Sequence, residues 1–443
     1  MIFKFFKFLR PVATEIDQST AVTIYKDDHN IDINDISPSA RKTIDKLQAN
    51  GFVAFIVGGA VRDLLLGLTP KDFDIATSAT PEEVKKLFKR SRIIGRRFRL
   101  VHVYSGRDIL EISTFRAAVN QEQVAKFVTD DKGRILRDNV FGTQEEDALR
   151  RDFTVNALFY DPVEEIVTDY ISGYRDLLSK KLRIIGIPRV RFREDPVRLL
   201  RAVRLSSKLG LEIEKDTLKS MRFRKKLLLN VPPSRLFEEM LKIFFCGKAV
   251  DAIFRLKEEG LLEILMPEAQ HALRDESAKK FLLLALSKTD QRVETGQPNS
   301  PSFILAAILW NEIFVRWRSQ MKSRKPPFSV LVKVVDNFFL SRPTKGLGIP
   351  RRIEMDVRKI WLMQARFLKT RGRHPHALLR SLRFRAGYDF MLLRCESGQE
   401  NQEQGLWWTR FIKSGSDERL EMTGAVFKKK DYDALSRKRK IVR

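Results

Sequence analysis

The sequence predicts an α+β protein: a mixed sheet with helices in its N-terminal part, followed by an all-helical C-terminal half. Three observations lead there. Between Phe52 and Ile185, short apolar and β-branched runs alternate with segments of helical pattern. From Pro196 to about Ser397 nearly every segment reads as helix, broken at Gly210, Pro232-Pro233, Gly260, Pro267, Gln297 to Pro301, Pro326-Pro327 and Gly346 to Pro350. The chain has 443 residues, 43% hydrophobic and 31% charged, which suits a globular protein too long for one core.

The elements follow in order. Met1 to Arg10 is a cationic, aromatic arm suited to touching RNA or a membrane surface; its lysines interrupt any signal-peptide core, and no small-residue cleavage site follows. Thr20 to Ser39 is polar and acidic and reads as a tether. A helix from Pro38 to Asn50 closes at Gly51, and a strand runs from Phe52 to Val57. Gly58-Gly59 then opens a short helix to about Leu66, and Gly67 and Pro70 turn the chain into a strand carrying Asp72 and Asp74. Alternation along that strand puts both carboxylates on one face, with Phe73 and Ile75 turned to a core. Thr80-Pro81-Glu82-Glu83 has the pattern of a capping box with proline in the first turn. Strands are expected from Arg97 to Tyr104 and Ile109 to Phe115, a mobile loop from Asn120 to Gly133, and a helix starting at Thr143 or Glu145. Short strands follow at Ile166 to Tyr170 and Leu182 to Ile185. The domains expected are an arm over 1–38, a sheet domain over 39–190, helical domains over 191–260 and 261–415, and a basic tail over 416–443.

The formal charge is +27, and such an excess favours a polyanionic partner, nucleic acid above all. The two cysteines, Cys246 and Cys395, lie in apolar stretches and read as small core residues, which fits a reducing, cytoplasmic compartment. No run approaches the ~20 apolar residues of a membrane span. The five histidines are too scattered for a histidine-aspartate metal site.

Chemistry concentrates in Gly58-Gly59-Ala60-Val61-Arg62-Asp63, Leu66-Gly67 and Asp72-Phe73-Asp74. Glycines at a strand-to-helix turn let backbone amides approach phosphate oxygens, and Arg62 can add a charge-assisted bond. Two like-facing carboxylates are hard ligands for magnesium, and a bound cation relieves their mutual repulsion. Glu111, on a neighbouring strand, and Asp152, in Arg150-Arg151-Asp152-Phe153-Thr154-Val155-Asn156-Ala157, are alternative third carboxylates. In Glu194-Asp195-Pro196-Val197-Arg198-Leu199-Leu200-Arg201, Asp195 is placed to cap a helix whose basic stripe includes Arg198 and Arg201.

Together these segments resemble the tRNA CCA-adding and bacterial poly(A) polymerase family, over about Ser39 to Arg394. The resemblance implies a polymerase-beta-like nucleotidyltransferase head, a base-recognition neck and a helical RNA-binding domain. It implies that Asp72 and Asp74 hold two magnesium ions, with Glu111 flanking them and Asp152 against the nucleotide. Gly58, Gly59 and Arg62 would cradle the phosphates of ATP. Arg151 and Asn156 would orient sugar and triphosphate, and Asp195, Arg198 and Arg201 would favour adenine. The basic segment Gly95-Arg96-Arg97-Phe98-Arg99-Leu100 resembles the poly(A) polymerase branch and makes Arg96, Arg97 and Arg99 candidate RNA contacts. The expected activity is template-independent addition of adenylate to RNA 3′ ends, with pyrophosphate released. The alternatives are CCA addition to tRNA and an inactive transferase fold that only binds RNA. Trp407 and Trp408 are placed in a core rather than stacked on bases.

Overall fold

The computed structural model describes residues 21–95, 99–106, 108–117, 128–129, 135–137, 140–321, 326–341 and 347–425. Arg96 and Arg97, the arm up to residue 20, most of the loop expected at 120–133 and the lysine- and arginine-rich end of the tail lie outside the described residues. The chain forms two compact units: Met1–Arg198 with Leu211–Met221, and Leu199–Gly210 with Arg222–Arg443.

In the first unit the strands are β1 (Val22–Ile24), β2 (Ala54–Val57), β3 (Asp74–Thr77), β4 (Ser91–Ile94), β5 (Leu100–Ser105), β6 (Asp108–Thr114), β7 (Val128–Thr129), β8 (Ile135–Arg137), β9 (Leu158–Asp161), β10 (Ile166–Asp169), β11 (Lys181–Leu182) and β12 (Glu212–Ile213). Among the described residues, eight of them make one mixed sheet in the order β1-β10-β9-β2-β3-β6-β5-β4. Only β3 and β6 pair in parallel there, with Ile75 beside Ile112. Helices α1 (Pro38–Ala49), α2 (Gly59–Leu65), α3 (Pro81–Leu87), α4 (Gln144–Arg150), α5 (Gly173–Leu178) and α6 (Pro188–Glu194) accompany it.

Local signals set the helix starts. Ser37 accepts the Ala40 amide at the head of α1, ahead of Pro38. Thr80 with Glu83, and Thr143 with Glu146, form complete capping boxes on α3 and α4. All four residues of β2 are buried, and Phe55, Phe115 and Phe159 meet in tilted or edge-on contacts at 6.1–6.3 Å, a core that also holds Val57, Ala76 and Ala148.

Three expectations are corrected. The polar segment Thr20 to Ser39 is not only a tether: it carries β1, which pairs antiparallel with β10 at the sheet edge, and its Val-Thr-Ile run is β-branched but only three residues long. The strand after Pro70 begins at Asp74, so Asp72 stands in the turn before it, and Phe73 is half-buried instead of in the core. β4 was not expected, because Ser-Arg-Ile-Ile shows no polar-apolar alternation; it closes the far edge by pairing with β5.

The second unit is helical. It begins with α7 (Arg198–Leu209), which straddles the boundary at its first residue, and continues through helices that include Glu276–Glu294, Pro301–Gln320, Pro327–Ser341, Arg351–Phe367, Phe384–Ser397 and Gln402–Lys413. Trp310, Trp361, Trp408 and Phe390 are fully buried. The Trp408 indole donates to the Phe367 carbonyl at 2.9 Å, and Trp407, half-buried, stacks on Phe411, so neither tryptophan is free for bases. Both cysteines are free thiols, Cys395 buried and Cys246 partly so. No helix among the described residues is long and apolar enough to cross a membrane.

Candidate active site

β2 delivers the chain to Gly58, whose φ of 72° and ψ of −124° suit glycine. A Cβ there would stand 3.0 Å from Arg151 Nη1. The Gly58 amide donates to the Leu158 carbonyl at 3.2 Å, so it serves the sheet. The amides left without an intrahelical acceptor by helix geometry are those that follow, from Gly59 into the first turn of α2.

Arg62 is buried, 5% exposed. Its Nε and Nη2 donate to Asp63 Oδ1 at 2.8 and 2.5 Å, and its Nη1 donates to Asn156 Oδ1 at 2.5 Å. Asn156 Nδ2 in turn donates to Asp152 Oδ1 at 3.0 Å, and Asp152 Oδ1 also accepts the Phe153 amide at 2.8 Å. Asn156 therefore joins the glycine-turn helix to the Arg-Arg-Asp segment. Arg151 lies on that segment too: its Nε and Nη2 donate to Asp147 Oδ2 at 3.2 and 2.9 Å, its Nη1 to the Asn156 carbonyl, and its guanidinium covers the Phe159 ring at 5.2 Å.

Asp74 heads β3, and the parallel pairing of β3 with β6 sets it beside Glu111. Its side chain reaches solvent while protein crowds round it. That crowding, then the Glu111 and Asp72 charges working against Arg151, raises its pKa to about 6. Glu111 acts on Asp74 more strongly than Asp72 does. Directly across from Glu111 on β5 is His102, whose Nε2 lies 3.2 Å from Glu111 Oε1. Among the described residues no three His, Cys, Asp or Glu side chains are gathered round one point, so Asp72, Asp74 and Glu111 are not a preassembled three-ligand cage. Asp152 Oδ1 is occupied with Asn156 and the Phe153 amide.

Around the Arg-Arg-Asp segment the sign reverses. Burial, then the charges of Arg116, Arg191 and Arg198, lower Arg150 to about 10. Arg116 and Arg191 are shifted down as well, burial first. Arg191 Nη2 donates to the carbonyls of Arg150 and Arg151 at 2.6 and 2.5 Å, and its Nη1 to Glu194 Oε2 at 2.8 Å. Arg198 Nη1 donates to the Arg191 carbonyl at 2.7 Å and to Glu194 at 3.0 Å. Asp195 is the C-cap residue of α6, and its Oδ1 accepts the Val197 amide at 3.3 Å in the turn before α7; that helix starts at Arg198, so the expected N-cap at Asp195 with Pro196 in the first helical turn is not formed. Arg201 belongs to the second unit. Arg99 pairs with Glu82 on α3.

The sequence reading missed Arg116, Asp147, Arg191 and His102. Arg191 and Arg116 lie outside the segments that carried the motif, and His102 acquires meaning only from its cross-strand register with Glu111.

A glycine turn feeding a helix, acidic strand heads and a neighbouring guanidinium crowd define a nucleotidyltransferase head. Residues 54–183 match the family described as "Poly A polymerase head domain", residues 210–273 "Probable RNA and SrmB- binding site of polymerase A", and residues 325–443 "Polymerase A arginine-rich C-terminus". The chain is 40% identical to poly(A) polymerase I of Haemophilus influenzae, over 89% of this chain and 88% of that one. It is 36% identical to the Salmonella typhi poly(A) polymerase I, over 98% and 95%. A CCA-adding enzyme of Bacillus pumilus is 36% identical over 48% of this chain and 51% of that one. The crystal structure of the Bacillus stearothermophilus CCA-adding enzyme in complex with CTP shares the fold, with a TM-score of 0.58 and 24% identity over 91% and 92% of the two chains. The chain belongs to the bacterial poly(A) polymerase family. Template-independent poly(A) addition is the activity that membership carries, and the CCA-adding enzymes are more distant relatives.

Proposed function

We propose that this site transfers adenylate from ATP to the 3′-hydroxyl of RNA, releases pyrophosphate, and repeats the step without a template. The carrying observation is the surroundings of Asp74: the carboxylates of Glu111 and Asp72 act on it together with the guanidinium of Arg151, which belongs to a run of neighbouring guanidiniums with Arg116, Arg150 and Arg191. A divalent cation bound to a polyphosphate complements both.

The residues fit magnesium. That ion is held by one or two carboxylates plus substrate phosphates and water, which suits an acidic pair without a complete cage. Asp72 and Asp74 would hold it, with Glu111 alongside. When bound, magnesium supplies charge neutralisation at the phosphates and makes an attacking hydroxyl more acidic. The chain's own groups position the reactants, which is most of what phosphoryl transfer asks of a protein. The guanidinium crowd holds the triphosphate. Gly59 and the amides after it approach the phosphates, while Gly58 shapes the turn. Arg62, Asn156 and Asp152 fix that turn against the segment carrying Arg151, and Asp152 and Asn156 face the sugar. Asp195, Arg198 and Arg201 favour adenine, as the motif they match implies. Arg99, with Arg96 and Arg97, meets the RNA backbone. Free thiols at Cys246 and Cys395 suit a reducing cytoplasm.

The test is incubation with an oligoribonucleotide, magnesium and each NTP singly. Long tails from ATP alone are expected, and Asp72→Ala or Asp74→Ala should abolish them. Termination after three nucleotides on tRNA would assign CCA addition, and full incorporation by Asp72→Ala would remove the acidic pair from the mechanism.

A further inference from the structure

Far along the chain, the helical unit contains a cavity of about 370 Å³ with a composition the transferase chemistry does not use. Phe328, at the start of helix Pro327–Ser341, forms one wall. Arg366, near the end of helix Arg351–Phe367, and Lys369 just beyond it form another; His374 and Ser381 complete the polar lining. The volume falls within the ~300–1,000 Å³ of small-ligand sites.

Its charge is uncompensated within its lining: Arg366 and Lys369 are present and no carboxylate is. The Arg366 guanidinium sits over the half-buried Phe328 ring at 5.0 Å, which presents an aromatic and a planar cation together. His374 Nε2 is buried with no hydrogen-bond partner among the described residues. Burial, then the Lys369 and Arg366 charges, lower the His374 pKa although the ring also bonds to the Arg366 backbone, so the imidazole is neutral near pH 7. Two cations, an aromatic face and a neutral, polar imidazole are what one nucleotide of a single strand requires: charge for its phosphate, a ring for its base, polar atoms for its sugar or base edge.

We propose that this cavity is a subsite for one internal nucleotide of the RNA being extended, its phosphate on Lys369 and Arg366 and its base against Phe328. A free anion would leave Phe328 without a role. The inference rests on RNA being the substrate, and the experiment separates the two claims.

Binding of a 5′-fluorescent 15-nucleotide oligo(A) to the full-length protein is followed by anisotropy from 50 to 300 mM KCl, with melting curves on every variant. Lys369→Ala, at an exposed position, should raise Kd about threefold or more at low salt and flatten the slope of log Kd against log salt by about 0.7, one phosphate contact on a single strand. Phe328→Ala should raise Kd about fivefold or more and leave that slope unchanged. Both effects should persist in 10 mM inorganic phosphate at constant ionic strength. Wild-type affinity, within twofold, in either variant overturns the subsite. So does loss of the differences in phosphate, which would mark a simple anion pocket. If wild type extends oligo(A) while the variants bind it equally well, the subsite fails and the activity stands; if wild type neither binds nor extends it, both fail.

Discussion

Replacing the two adjacent glycines one at a time should give opposite effects on stability. Gly58 sits at φ 72° and ψ −124°, and an added Cβ would lie 3.0 Å from Arg151 Nη1. The conformation alone costs a non-glycine residue about 1–3 kcal/mol. The contact adds to that, because Arg151 is held by Asp147 and by the Asn156 carbonyl and cannot simply swing away. Taking ~2 kcal/mol in a unit of this size, the melting temperature of Gly58→Ala should fall about 4–8 °C. Displacing Arg151 should also raise the KM for ATP. Gly59 differs: it lies in the first turn of α2, and its added Cβ would meet nothing closer than Arg62 Nη2 at 3.5 Å, an ordinary contact. Alanine is the better helix former by up to ~1 kcal/mol, so Gly59→Ala should match or exceed wild type in melting temperature. It should still lose activity, since its methyl stands where phosphate must approach. Scanning fluorimetry together with ATP incorporation reads both quantities. A Gly58→Ala protein that melts within 1 °C of wild type with an unchanged KM, or a Gly59→Ala protein with full activity, would refute this account of the turn.

Asp74 gives a pH test. Its folded pKa of about 6 lies above the ordinary 3.8, so the folded state binds the proton more tightly, and Asp74's contribution to stability is lost as pH rises from about 4 through 6. Without magnesium, Asp74→Asn should therefore out-melt wild type at pH 7.5 by more than at pH 5, and magnesium should shrink that gap; a gap independent of pH would contradict the assignment. His102→Ala should release Glu111 and weaken the apparent affinity for magnesium or manganese several-fold, with His102→Gln recovering part of it, whereas identical metal titrations would show that the 3.2 Å contact is incidental. Asn156→Ala leaves Arg62 Nη1 and Asp152 Oδ1 each short of a bond and should cost about 1–3 kcal/mol in denaturant unfolding together with a loss of kcat/KM for ATP. Trp408→Ala should cost about 3–5 kcal/mol, far more than it changes RNA affinity at low temperature, and the reverse ordering would make Trp408 a base-stacking residue.

What could be read in the chain was local. Thr80 with Glu83 and Thr143 with Glu146 mark helix starts because a capping box closes within four residues. The glycine turn was legible for the same reason: its geometry depends on neighbours in sequence. Features set by pairing were not legible. β1 is three residues long and is a strand because β10 offers it an edge, and β4 has no alternation to announce it. Even within the motif, the start of β3 at Asp74 instead of Asp72 follows from where its pairing with Val57 ends. His102 became part of the site through its cross-strand register with Glu111, and Arg191 through bonds to carbonyls forty and forty-one residues earlier.

The charges explain why a bulky substrate complex fits a site with so many committed side chains. Arg62, Arg151, Arg191 and Arg198 are each tied to a protein acceptor, so ordering them costs little when ligand arrives; their geometry is set before ATP binds. What remains unbalanced is the sign of charge on either side: burial and then the Glu111 and Asp72 charges raise the proton affinity of Asp74, and burial and then the neighbouring guanidiniums lower that of Arg150. Magnesium alone relieves only the first imbalance, and triphosphate alone relieves only the second while adding charge opposite Asp74. The two ligands should therefore favour each other's binding, because each removes the repulsion the other would meet. On the proposed function, selectivity for a metal-bound nucleotide over either component would follow from these two clusters of like charge, with the hydrogen-bonded arginines as the frame that holds them in place.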